Sequence, residues 1–342
     1  MTVTDIWDED QRRGPHDPSR GSPAVDAMSI RRTTTIDTSW PDGPTGDLVV
    51  AARGRDLRGG TSPKVLGEHG FVMRLDALTR SITTVEPELP PELAEVRKAT
   101  VTTGFRSLVG RSFAVGGPLD VGRHGLLHCL LDEIVMPSFI AGYAHMRAAP
   151  PTDDSPSTRA RFQGRVDLCA GYTADGTIGT WVQEFGHSPI PVGPPAPALV
   201  NEPDDGGWHD RPPTPPHSMR RSRRVDLVLG DGGAAEIDAM FRDEHIGEDG
   251  AHDVLHEYSV SGRFDLGQGT ITSIEAQPRV LPWQECPAAA ASAQFVVGVP
   301  VTDLRRRVLE GMQGPSTCTH LNDELRFLSD IGWLAEVIQG DR

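Results

Sequence analysis

The chain has 342 residues, a formal net charge of -15, 37% apolar residues, 29 prolines and 37 glycines. That length admits two domains of about 100–200 residues each, and the Pro and Gly content predicts long connecting segments. The acidity argues against nucleic acid or an anionic membrane as a partner.

In chain order, the opening stretch up to residue 29 is polar, lacks the apolar centre of a signal peptide and reads as a disordered tail. Two strands follow, "RRTTTIDTSW" and "GDLVVAARGRD", joined by the turn signal "PDGPTG". "GFVMRLD" and "SITTVEP" read as a hairpin, and "LLHCLLDEIVMPSF" as a helix. Residues 146–217 read as a Pro-rich linker around "GRVDLCAGYTADGTIGTWVQEF", which is expected to form a short β-hairpin turned at "ADGT". The basic run "RRSRR" (residues 220–224) reads as a solvated linker end or as partners for nearby acids. "GDGG" at residues 230–233 is a hairpin turn, because no strand–turn–helix context makes it a phosphate loop. "EYSVSGRFD" and "GTITSIEAQP" form a further hairpin across "LGQG"; "DLRRRVLEGM" and "NDELRFLSDIGWLAEVI" read as helices.

The chain resembles itself. Ile36-Asp37 falls on Val225-Asp226, and the segment starting at Val65 falls on the segment starting at Val254, both at an offset of 189. Glu68, Arg74, Asp76 and Glu86 then lie over Glu257, Arg263, Asp265 and Glu275, and His128 over His320 after a small slip. Strands first and helices after argue for an α+β fold of two duplicated domains, each an antiparallel sheet followed by helices. The expected boundaries are 30–145, a degenerate copy, and 218–342, the copy carrying the site, packed as an internal pseudo-dimer.

The candidate chemistry gathers in the second copy. Cys318 and His320 stand at a helix start, where a thiol is acidified and both side chains suit a zinc-like divalent metal. His256, with Cys286 or Glu257, would complete either a metal site or a nucleophile–base pair. The first copy keeps His128 but has Leu126 and Gly67 where the second has Cys318 and His256; His124 and His128 would join only a site between the copies. No Walker A, Rossmann or GxSxG pattern is present, so no nucleotide cofactor is expected. With no run of about 18 apolar residues seen, no membrane span is expected. The four scattered cysteines suggest reduced thiols in the cytoplasm.

The second copy resembles the bacterial domain-of-unknown-function family 2889. The resemblance is carried by Arg223-Arg224, Arg242-Asp243, His256-Glu257, Arg263, Cys286-Pro287 and Cys318-Thr319-His320-Leu321. The chain departs from the family pattern at Thr317, where the family has Gly, and at Glu257, where it has Asp. The resemblance implies a bacterial protein loosely associated with acyl-CoA or aromatic-acid catabolism.

Two functions are weighed. One is a hydrolase or lyase acting on a small carboxylic or aromatic compound or a CoA thioester. Cys318 is then metal ligand or nucleophile, His320 ligand or general base, His256 a second imidazole and Glu257 a general acid/base; Arg263 or Arg242 grips a substrate carboxylate. The other is a non-enzymatic module, stabilised by a metal or binding a small molecule, that partners another enzyme. The bland alternative is a packed, inert Cys318.

Overall fold

The computed structural model describes residues 13–114, 119, 121–149, 156–200 and 206–340. Among the described residues, eight strands form one antiparallel sheet: β1 (Ser29–Ser39), β2 (Leu48–Arg58), β3 (Lys64–Leu75), β4 (Ile82–Glu86), β5 (Ser218–Leu229), β6 (Ala234–Ile246), β7 (His252–Asp265) and β8 (Thr270–Val280). Their order across the sheet is β4-β3-β2-β1-β5-β6-β7-β8. The hairpins fall where the turn signals place them, including the tight β5–β6 turn at "GDGG". The fold is thus α+β with a large antiparallel sheet and several helices. The sheet runs without a break through both halves, so residues 30–145 and 218–342 do not build separate sheets.

The join between the halves is the β1–β5 pair. Thr34 lies opposite Arg223, and these two numbers differ by 189, the repeat offset. Ion pairs cross the join reciprocally. Arg31 holds Asp226 at 2.6 Å, and Arg220 holds Asp37 at 2.6 Å. Each member of one pair is again 189 from its like in the other.

The helices are α1 (Phe105–Ser112), α2 (Val121–Glu133), α3 (Val135–Ile140), α4 (Gly142–Ala148), α5 (Pro156–Gln163), α6 (Thr177–Phe185), α7 (Leu304–Gly311), α8 (Thr319–Phe327) and α9 (Ile331–Gln339). One face of the sheet carries two apolar clusters. In one, Leu48, Val50, Phe71 and Met73 pack against Phe105, Leu127 and Leu130; in the other, Val225, Phe241 and Tyr258 pack against Leu321, Leu325 and Ile331. Between them, the central strands present Arg32, Arg221 and Arg223, buried beneath α2 and α8. "RRSRR" is therefore not solvated; its arginines are interior partners of acids.

Two expectations need correction. The disordered tail expected from the sequence spans residues 1–29. Residues 1–12 lie outside the described residues, but residues 13–28 are tied to the sheet: Pro15 C=O accepts from Leu281 N–H (3.0 Å), Asp17 N–H donates to Arg279 C=O (2.9 Å), and Arg31 donates to Pro23 C=O (2.8 Å). The hairpin expected near residues 164–185 is instead a 3₁₀ turn (Ala170–Tyr172) followed by α6. Ile178, Trp181 and Val182 supply a helical spacing, and Gly186 ends the helix in the left-handed region (φ 77°), so the Asp175-Gly176 turn feeds a helix rather than a return strand. Gly125–Ala148 is a helical stretch that has the length and composition of a membrane span, as buried core helices also can. It is mostly buried in this fold.

Candidate functional site

Asp243, on β6, and His256, on β7, are direct cross-strand partners, and the register breaks immediately after Asp243. Such a bulge re-aims side chains and is common beside functional sites. His320 enters from the first turn of α8, whose N-cap is Cys318. His256 Nδ1 is 3.1 Å from Asp243 Oδ2, and His320 Nε2 is 4.0 Å from the same oxygen. The two imidazoles stack with centroids 3.8 Å apart. One ligand-type atom from each of the three residues lies within 4.8 Å of the other two. The Phe241 ring lies nearly parallel to His320, with centroids 6.4 Å apart.

The group is rigidly held. Arg221 grips Asp243 through Nε (2.7 Å) and Nη2 (2.8 Å), and its Nη1 donates to Asp323 of α8 at 2.6 Å. Asp243 is wholly buried and His256 is 8% exposed. Burial alone would raise the Asp243 pKa, but Arg221 and then His256 more than offset it, so the carboxylate stays ionised. Burial, then the nearby His256, holds His320 well below the ordinary histidine pKa, so it is neutral with a lone pair to offer. Its Nε2 is buried with no hydrogen-bond partner. An aspartate and two imidazoles, one of them with an unsatisfied nitrogen, form a donor set suited to a divalent transition metal.

Residues 219–333 match the family model described as Protein of unknown function (DUF2889).

The matched segment contains Asp243, His256 and His320, as well as the clamp Arg221. Comparison with curated proteins and with solved structures gave no match.

The structure divides the residues singled out from the DUF2889 segment. His256 and His320 come together. Cys318, two residues from His320, points into a different group: its thiol, those of Cys169 and Cys286, and the Tyr258 hydroxyl influence one another electrostatically. Burial pushes the Cys318 thiol up to about 11 and Cys286 well above the ordinary thiol value, although amides of Leu321 and His320 favour the Cys318 thiolate. A protonated, buried thiol is a poor nucleophile. Glu257 and Arg242 lie on the opposite face of the sheet. There Arg242 Nε donates to Glu257 at 2.6 Å, and both are capped by Ser19. They bind each other and the N-terminal segment, not the His256–His320 group. Arg263 is exposed near the far end of β7. His128 is buried in the first half, stacked on Phe113, and the His124 side chain lies outside the described residues.

Asp243 and Arg221 were not singled out as site residues. Both were visible in the quoted runs, but only the β6–β7 register, bulge included, shows that Asp243 faces His256 while Arg242 faces away.

The buried histidines set a pH dependence. Burial lowers His128 to about 4, His209 to about 3 and His245 to about 4, and it holds His320 well below the ordinary histidine value. A histidine whose folded pKa is depressed takes up a proton in the unfolded state first, so stability falls as pH drops below about 6.5. Glu324, raised to about 7 by burial, and Glu133, also raised, oppose this, but they are fewer. The melting temperature is therefore expected to fall between pH 7 and pH 5. A flat or rising profile over that range would contradict the neutral state of these histidines.

Proposed function

We propose that Asp243, His256 and His320 hold a zinc-like divalent cation and that this centre makes the protein a hydrolase or lyase for a small carboxylic or aromatic compound or a CoA thioester. The observation that carries the reading is the convergence of one carboxylate and two imidazoles on one spot, with His320 Nε2 buried and unpartnered. Such a cation supplies Lewis-acid polarisation and activation of water. The chain's own part is orientation: Arg221 fixes the Asp243 carboxylate from behind, and Asp323 fixes Arg221.

The near-complete burial of the three residues favours a second reading, a closed metal site that only stabilises a binding module. The coordination number of the loaded protein, read by X-ray absorption, separates an open position from a saturated one.

We also propose that the halves are copies of one unit related by a local two-fold through Thr34 and Arg223. Besides the pairs across β1–β5, Arg106 of α1 reaches Asp323 of α8, while Arg305 of α7 reaches Asp132 of α2. Each arginine is the second residue of its helix, and each aspartate is followed by a glutamate, Asp132-Glu133 and Asp323-Glu324.

The test is metal content. Tag-free protein is expected to carry close to one equivalent of zinc or cobalt after exposure and desalting. Asp243→Asn, His256→Ala and His320→Ala should each lose it, whereas Cys318→Ala and Glu257→Gln should keep it. Equal uptake by all variants would refute the assignment.

A further inference from the structure

Four cysteines are spread over the chain, yet the fold sets two of them side by side. Cys169 stands just before the 3₁₀ turn Ala170–Tyr172, and Cys318 is the N-cap of α8. Both have extended backbone: Cys169 at φ -159°, ψ 175° and Cys318 at φ -126°, ψ 126°. Ala170 N–H donates to Thr317 C=O at 2.9 Å, so the residue after one cysteine is bonded to the residue before the other. Extended segments joined in this way hold facing α-carbons about 4.5–6 Å apart. A disulfide spans α-carbons about 4.4–6.8 Å apart.

The sulfurs share surroundings as well. The Cys169 thiol lies against the amides of Gly171, Thr319 and Tyr172, and the Cys318 thiol against those of Leu321 and His320. Both sulfurs therefore meet the first turn of α8. Amides gathered around sulfur favour the thiolate, the form that reacts. Cys169 is the more open of the two, 9% exposed against 5%, and its neighbour Leu168 is 51% exposed. The other two cysteines are placed differently. A Cβ built on Gly171 would come within 2.8 Å of the Cys286 sulfur, so that sulfur is seated against Gly171. Cys129 lies in α2, with Arg32 and Asp330 near it.

We infer that Cys169 and Cys318 are a redox pair that hydrogen peroxide joins into a reversible disulfide. The Cys169 sulfur attacks one peroxide oxygen, the O–O bond breaks, and the thiol proton leaves with the departing oxygen as water. Cys169 is then a sulfenic acid. The Cys318 sulfur displaces its hydroxyl, the S–S bond forms, and the Cys318 proton leaves with the hydroxyl as a second water. Two thiols and one peroxide thus give one disulfide and two waters, with both sulfurs oxidised and both oxygens reduced. A small dithiol reverses the step by thiol–disulfide exchange. The bond ties the Ala170–Tyr172 turn to the start of α8, and it forms whether or not His320 holds a cation. Burial keeps both thiols protonated at rest, so the pair reacts slowly and excess oxidant is needed.

The experiment treats native, tag-free protein with excess hydrogen peroxide, removes the oxidant with catalase, then unfolds and alkylates the chain. Intact mass and non-reducing peptide mapping are the readouts. The expected product is a monomer with two alkylated cysteines in place of four and a linked Cys169–Cys318 peptide that dithiothreitol separates. Cys129→Ser and Cys286→Ser should keep the link, and Cys169→Ser should lose it and leave Cys318 open to alkylation. Four alkylated cysteines after peroxide, a link made through Cys286 instead, or sulfinic acid at Cys169 with no link would each overturn the inference. Should a variant not fold, the peptide map of the wild type decides by itself.

Discussion

Replacing Arg223 by leucine is expected to destabilise the protein by about 3–5 kcal/mol, the range for removing one partner from a buried ionic network. Arg223 is 1% exposed and stands at the middle of the β1–β5 join. Its guanidinium is 2.8 Å from Glu133, 2.6 Å from Asp323 and 3.4 Å from Glu324. Leucine would leave those carboxylates without their shared cation in a place water does not reach. Glu324 is already raised to about 7 by burial, with Arg223 the first group acting to lower it; without Arg223, Glu324 and Glu133 would have to take up protons to stay buried. Part of the lost stability should accordingly return at acidic pH relative to wild type. Urea denaturation at two pH values measures both effects, with Arg263→Ala, an exposed change on the same sheet, as the control. A loss no larger than the control's would show that the central charges are not a network.

Arg221→Lys is expected to weaken divalent metal binding about 10–100-fold, the usual effect of losing a group that orients a ligand. Lysine keeps the positive charge but loses the fork that fixes both oxygens of Asp243 while a third nitrogen reaches Asp323. The carboxylate would then rotate toward His256, whose Nδ1 is already 3.1 Å away. Competition against a chelator of known affinity reads the change. Unchanged affinity would mean that Asp243 is not a ligand or is held without Arg221. Because the charge remains, the stability loss should be smaller than for Arg223→Leu, and comparing the two variants separates ligand geometry from charge balance.

The hairpins were legible because their turns are written in Gly, Asp and Pro and their strands in alternation. The helices after each set of strands were legible from apolar spacing. His256 was legible because the matching segment of the first half has Gly67 in its place, and His320 because it stands two residues from Cys318 at a helix start. What could not be read was facing. Arg242 and Asp243 are neighbours in sequence, yet they serve opposite sides of the sheet, and sequence proximity made Glu257 look like a companion of His256 when it is turned away from it. Cys318 misleads for a similar reason. Helix-start chemistry predicts an acidic thiol, but complete burial outweighs the amides around it. The shared sheet was hidden because nothing local in "TTTID" or "RRSRRVD" announces that those two segments pair with each other.

The reciprocal ion pairs of the β1–β5 join have one more consequence. Two separate chains meeting through such a seam would make an isologous homodimer, with Arg31–Asp226 and Arg220–Asp37 as the same contact made twice. Such a dimer would hold together only above a threshold concentration, and every substitution in it would be imposed on both sides at once. On the proposed reading of the halves as copies, carrying both on one polypeptide removes the dilution penalty and the enforced symmetry together. One half would then be free to have Gly67 where the other has His256.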